Sequence, residues 1–297
     1  MAGKLTDLPQ LVKPYRLAGS KNFRLSDFDP ADHQNLDLKN EAGDLLKQGI
    51  ERLSDLQQKL YAHDRWALLL IFQAMDAGGK DSVIRHVMSG VNPQGCQVYS
   101  FKQPSAEDLS HDYLWRASKG LPQRGHIGIF NRSYYEEVLV VRVHPDLLAA
   151  QRVPQPLITK KLWKERFKDI RNFEQYLSRN GIVIRKFFLN VSRDEQKRRF
   201  LQRLDEPEKN WKFSESDVHD RERWSDYMQA YQDAIRHTAT LEAPWYVVPG
   251  DNKWFTRLVV ASVVIDTLES LKLHFPVVDK QRQKELTSAK RFLLREK

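Results

Sequence analysis

Cysteine is almost missing from this chain: Cys96 is the only one in 297 residues. No disulfide can form within it, and a lone thiol suits a reducing cytosol. Its place in the apolar–polar run Cys96 to Phe101 points to a packed side chain rather than a nucleophile. Long apolar runs are missing too. None approaches the ~20 residues of a membrane span, and Met1 to Gly19 lacks the apolar centre of a signal peptide. No internal repeat or low-complexity linker divides the chain, and its length gives one large α/β domain ample core.

What is present in excess is positive charge, and it is concentrated. The chain carries 48 Lys/Arg and 39 Asp/Glu for a net charge of +9, yet Leu157 to Lys212 alone holds sixteen basic against eight acidic residues. The rest is close to neutral. A diffuse surplus would serve solubility; a concentrated one suggests an acidic ligand, either nucleic acid or polyanionic phosphate.

One stretch organises the remainder. The apolar run Ala67 to Phe72 has the length of a buried strand, followed by a small-residue turn, Ala74 to Gly79, then Lys80 and an amphipathic helix, Ser82 to Met88. Strand, glycine turn, lysine and helix make a phosphate-binding loop, in which backbone N–H groups and the helix N-terminus face an anion. The match to G-x-x-x-x-G-K-[ST] is incomplete, with Ala74 for the first glycine and Asp81 for the metal-binding hydroxyl. Asp76 sits inside the loop, where a carboxylate would repel phosphate unless a divalent cation lay between them. An ordinary strand-to-helix turn is the alternative.

Along the chain, Met1 to Asp37 reads as an extended arm on the surface and Leu38 to Tyr61 as a long amphipathic helix. Further strands are expected over Cys96 to Lys102, His126 to Phe130, Ile182 to Val191 and Trp245 to Pro249. Helices are expected from a capping box at Ser105 to about Ser118, over Leu157 to Leu177, from Ser192 through Leu204, from about Asp217 to Leu241, and over Trp254 to Leu273; the β-branched run Val138 to Val143 suits helix or strand, and its continuity with Tyr134 favours helix. Lys280 to Lys297 reads as a charged tail. The alternation predicts an α/β fold with a parallel sheet covered on both faces, in which ligands gather at the C-terminal strand ends. Asp76 to Lys80, Lys102 to Ser105 and Asn131 to Glu137 all fall at such ends.

Phosphoryl transfer needs positioning and positive charge more than covalent help. Lys80 is the natural phosphate clamp, Asp76 a holder of Mg²⁺ or of a phosphate oxygen, and Arg132 a stabiliser of transition-state charge. Asn131 and Glu136 share that strand end, Glu136 being placed to orient an acceptor or a metal-bound water. Arg199 and Arg203, four apart on a helix, are placed to close over phosphates. Trp211 and Phe213 either stack on a base or hold their loop against the core.

The runs Gln73 to Ser82, Gly90 to Gly95, Phe101 to Ser105, Ser110 to Arg116, Phe130 to Glu137 and Lys209 to Ser214, in this order, resemble the polyphosphate kinase 2 family. The resemblance spans about Leu38 to Leu273, taken as a kinase domain of residues 38–275 between the arm and a tail of residues 276–297. It implies a P-loop kinase fold with a lid over Arg193 to about Leu241. It also implies transfer of phosphate between inorganic polyphosphate and nucleotides with Mg²⁺, or Mn²⁺ in its place. On that likeness Asp76, Ala77, Gly78, Gly79, Lys80 and Asp81 form the phosphate loop, with Asp76 on the metal and Arg132 catalytic. Many members have aspartate where Asn131 stands; Asn131 with Glu136 resembles the class III members, which phosphorylate both AMP and ADP. A cytoplasmic homo-oligomer acting on adenine or guanine nucleotides, with neither nucleic acid nor membrane as partner, is the implied setting. An ATP-dependent nucleotide kinase of the same fold, or a protein that only binds a polyanion or nucleic acid, are the rival readings.

Overall fold

A computed structural model describes residues 8–19, 22–34, 36, 39–211 and 213–296. Its centre is a six-stranded sheet: β1 (Arg16–Leu17), β2 (Ala67–Gln73), β3 (Cys96–Ser100), β4 (Ile127–Asn131), β5 (Ile182–Asn190) and β6 (Trp245–Pro249), in the order β1-β6-β5-β2-β4-β3. Strands β2 to β6 run parallel, and β1 pairs antiparallel with β6. All seven residues of β2 are buried because both faces of the sheet are covered, which is why it reads as a continuous apolar run. Leu68, Leu70 and Phe72 face the helices α1 (Ala42–His63), α2 (Lys80–Val87) and α6 (Lys253–Ser270). Leu69 and Ile71 face α3 (Leu162–Arg179) and α5 (Trp224–Thr238). Between α3 and α5 lie α4 (Arg193–Asp205) and the shorter helices Pro207–Asn210 and Glu215–Glu222.

Several expectations need correction. The N-terminal arm enters the body rather than lying on it: Val12, Tyr15, Phe23 and Leu25 are buried, and the Tyr15 ring meets Phe255 edge-on at 6.0 Å. Its apolar residues are too widely spaced to show a period. Leu38, expected to open the first helix, lies outside the described residues, and α1 starts at Ala42. The capping box at Ser105 forms, with Ser105 N on Asp108 Oδ2 at 2.9 Å and Asp108 N on Ser105 Oγ at 3.1 Å. Only a 3₁₀ turn, Asp108–Ser110, and a short helix, Trp115–Lys119, follow, since Asp112 starts a second turn by accepting from Leu114 N. Pro154 and Pro156 delay α3 to Leu162.

The helix expected over Asp217 to Leu241 is broken at Arg223, whose side chain is drawn to the Val143 carbonyl at 2.5 Å. Beyond the break, α5 buries Tyr227, Ala230, Tyr231, Ala234 and Ile235 in the core, so it covers the sheet. The lid expected over Arg193 to about Leu241 thus includes a helix that belongs to the core. The charged tail forms an exposed helix, Lys280–Leu293.

Candidate active site

The β2–α2 loop is shaped by tight backbone geometry. Ala77 and Gly79 take positive φ, 57° and 98°. At Gly78 a Cβ would stand 2.6 Å from the Ala74 Cβ and 2.7 Å from the Met75 carbonyl oxygen, so no larger residue fits. Ala74 itself is buried in the core beside α6, where its methyl packs. The close approach usually assigned to the first glycine of this motif thus falls at Gly78. Lys80 opens α2 and turns back under the loop, its Nζ donating to the Ala74 carbonyl at 2.8 Å and the Met75 carbonyl at 3.4 Å. Burial, reinforced by the nearby Arg132 guanidinium, lowers its pKa to about 8, against the opposing pull of Asp76, Glu136 and Asp81.

The parallel register sets Asn131 beside Phe72, so the ends of β2 and β4 deliver their loops to one place. Arg132 continues the ladder through its N–H to the Phe72 carbonyl at 3.0 Å, then takes φ 61°, a left-handed backbone that costs a side-chain-bearing residue about 1 kcal/mol or more. That turn aims its guanidinium across the loop: Nη2 donates to Asp76 Oδ1 at 2.5 Å and Nη1 to Glu136 Oε2 at 3.4 Å. Alongside, Asn131 Nδ2 donates to Asp81 Oδ1 at 2.7 Å. Asp76, Lys80, Asp81, Asn131, Arg132 and Glu136 are thereby brought together.

Arg199 is placed otherwise than expected. It is buried, and it spends its donors on Glu195 Oε1 at 2.7 Å and on the carbonyls of Ala77 at 3.2 Å and Gly250 at 2.5 Å. It braces the back of the loop instead of reaching for phosphate. Arg203, one turn further along α4, has its guanidinium 5.5 Å from the Phe200 ring centre. Trp211 is 78 % exposed.

Two groups escaped the sequence reading. Gln196, buried on α4, donates to the Asp76 carbonyl at 2.9 Å. Glu137 is buried against Arg116 at 3.5 Å, Arg166 at 3.7 Å and the Gln151 amide, and burial raises its pKa. Arg116 also holds the Lys102 carbonyl at 2.9 Å, fixing the loop after β3, and this cluster lines a cavity of about 550 Å³. A glutamate directly after Glu136 was the available signal, but nothing local distinguishes a buried partner of two arginines from a solvated helix residue. Cys96 packs as expected, its thiol pushed up to about 12 by burial.

Comparison with known proteins follows the same lines. The family model described as Polyphosphate kinase 2 (PPK2) matches residues 35–276. An ADP-polyphosphate phosphotransferase of Rhodopseudomonas palustris is 57 % identical over 253 residues, covering 85 % of this chain and 88 % of that protein. An AMP/ADP-polyphosphate phosphotransferase of Meiothermus ruber is 43 % identical over 266 residues, covering 89 % and 96 %. The crystal structure of Polyphosphate Kinase 2 from Arthrobacter aurescens TC1 superposes with a TM-score of 0.84 at 37 % identity, covering 94 % of this chain and 96 % of that one. With a family model matched over residues 35–276, relatives at 57 % and 43 % identity and a fold shared over nearly the whole length, the chain belongs to the polyphosphate kinase 2 family.

Proposed function

We propose that this protein transfers the terminal phosphoryl group of inorganic polyphosphate to AMP and to ADP, giving ADP and ATP, and that it also runs in reverse. The observation that carries the reading is the 2.5 Å contact of Arg132 with Asp76 above the buried Lys80, which gathers two cations and a carboxylate at the ends of two adjacent parallel strands. In the forward direction a terminal phosphate oxygen of the acceptor forms the new P–O bond. The bridging P–O bond of the donor breaks, leaving its electrons on a polyphosphate one unit shorter. Lys80 would neutralise the transferring group from beneath, and Arg132 the equatorial oxygens from the side. The Ala77–Gly79 backbone shapes the cradle for the donor phosphates.

Among the described residues no group of three or more His, Cys, Asp or Glu side chains is arranged to cage a metal. That suits Mg²⁺, which is usually held by one or two carboxylates together with substrate phosphates. Asp76, with its side chain 24 % exposed, is the residue to hold it, and Mn²⁺ would fit the same oxygen ligands. When bound, the cation supplies charge neutralisation between phosphate oxygens.

The dual acceptor range is supported by the AMP/ADP relative and by Asn131, which holds Asp81 by a neutral amide and leaves the acceptor position less rigidly fixed than a second metal-bound carboxylate would. The basic stretch from Leu157 to Lys212 favours a long polyanion over a nucleoside triphosphate as donor. Among the described residues no helix is long and apolar enough to cross a membrane. We place the enzyme in the cytoplasm with its nucleotide substrates, and as a homo-oligomer, a reading supported by the exposed Leu286, Phe292 and Leu293 of the last helix and Leu294 just after it. An end-point assay of AMP, ADP, GMP and GDP with polyphosphate and Mg²⁺ is the test. ADP and then ATP should form from AMP without any other donor; no ATP from ADP and polyphosphate would reject the reading.

A further inference from the structure

The loop carrying Asp76 is held from outside by a residue that the phosphate-loop pattern does not include. Gln196 is 1 % exposed, and both ends of its amide are used. Nε2 donates to the Asp76 carbonyl at 2.9 Å, while Oε1 accepts from Arg221 Nη1 at 2.9 Å. The same Arg221 nitrogen donates to the Arg193 carbonyl at 2.6 Å, at the start of α4. Arg221 belongs to the helix Glu215–Glu222, which is tied to the body where Asp220 Oδ1 meets His144 Nε2 at 2.8 Å. At the far end of the series, Asp76 accepts from Arg132 through its carboxylate.

The polarity of these groups fixes their order. A carbonyl only accepts and a guanidinium only donates; a side-chain amide does both without carrying charge. With Arg221 on Oε1, the amide can offer only its NH₂ to Asp76. Without Arg221, Oε1 would be a buried acceptor with no donor, a cost that the amide relieves by turning away from the Asp76 carbonyl. The bond that holds the Asp76 backbone is then no longer specified.

We propose that Gln196 is a positioning residue that makes the placement of Asp76 depend on Arg221. Docking of the helix Glu215–Glu222 against α4 and fixing of the Asp76 backbone are then one event. The consequence for turnover rests on the activity proposed above, whereas the link itself is a property of the substrate-free chain.

Hydrogen exchange of the Asp76–Gly79 amides, without substrate, tests the link in Gln196→Met, Arg221→Met and the double variant. Methionine keeps the reach of either chain while removing donor and acceptor. Each single change should speed exchange in the loop several-fold, the double change no further, and the amides of β4 should keep their wild-type rates. In assays with ADP and polyphosphate, kcat should fall by a similar factor in all three while KM for ADP holds. Gln196→Glu, which keeps a partner for Arg221 but gives the Asp76 carbonyl no donor, should fall with them. If Gln196→Met does not fold, Arg221→Met and Gln196→Glu carry the same comparison. Unchanged loop exchange in Arg221→Met, or losses that multiply in the double variant, would overturn the link. The expected exchange pattern in a protein that makes no ATP from polyphosphate would uphold the link and reject the activity.

Discussion

Asn131 Nδ2 donates to Asp81 Oδ1 at 2.7 Å, joining the end of β4 to the first turn of α2. Each of these residues departs from the generic expectation for its position, and the contact explains why the departures suit one another. A carboxylate at 131 would face the Asp81 carboxylate with only a proton or a cation to share. Asn131→Asp should therefore melt a few degrees below wild type at pH 8, since about 1 kcal/mol moves the midpoint by about 2–4 °C in chains of 150–250 residues. Mg²⁺ should restore more of that loss than it adds to wild type. Equal melting points with and without Mg²⁺ would remove the contact from the account.

Lys80 gives a pH dependence whose sign follows from its surroundings. Its ammonium is brought down to about 8, so the charged clamp is present below that pH and lost above it. The kcat/KM for polyphosphate, which reports the free enzyme, should hold on the acid side of that value and fall on the alkaline side. Lys80→Arg should carry the limb to higher pH. Lys80→Ala should lower turnover by about 10²–10³-fold with the fold intact. An alkaline limb that stays put in Lys80→Arg would assign it to another group.

Arg199 and Arg203 of α4 should separate in their effects. Removing the buried Arg199 strands the Ala77 and Gly250 carbonyls, so Arg199→Ala should lower the melting point and loosen the loop. Arg203→Ala should leave the melting point nearly unchanged, raise KM for polyphosphate and flatten its dependence on salt. Exposed charge attraction is screened within about 8–10 Å at physiological ionic strength. Melting curves and KM from low to high salt, measured on both variants, decide the matter; a purely kinetic Arg199 defect would contradict the bracing role.

Glu136 holds Arg132 at 3.4 Å, and on the proposed function it orients the acceptor. A monophosphate must sit one phosphate deeper than a diphosphate to present its terminal oxygen to the same donor. Glu136→Ala should accordingly slow the AMP step more than the ADP step. Initial rates with each acceptor alone measure this. Equal losses would show that Glu136 acts only by steadying Arg132.

Much of the fold could be read from the sequence because its period is local. A strand buried on both faces shows as seven apolar residues, and α2 shows as a stripe beside a glycine turn. The gathering of Asp76, Lys80, Arg132 and Glu136 was also legible, since strand ends in a parallel sheet converge. The failures share one cause: partners far apart in sequence. Arg199 reads in the sequence as a residue to close over phosphates because the Ala77 and Gly250 carbonyls that claim it lie on other loops. Gln196 carries no charge and no motif, so only its position between Asp76 and Arg221 identifies it. The arm of residues 8–34 buries isolated aromatics that no periodicity could reveal.

The pairing of β1 with β6 has a consequence for biosynthesis. Arg16 leaves the ribosome early but must wait for Tyr246, its register partner, before the antiparallel edge can close. Until then the β6 side of the sheet has no strand to cap it, and β5, already made, offers its own unpaired edge to other nascent chains. A contact of such long sequence separation forms late and slows the completion of the sheet. Truncation past Leu17 would leave β6 as a permanently open edge, so shortened versions of this protein should be more prone to aggregate during expression than fusions that extend the same terminus.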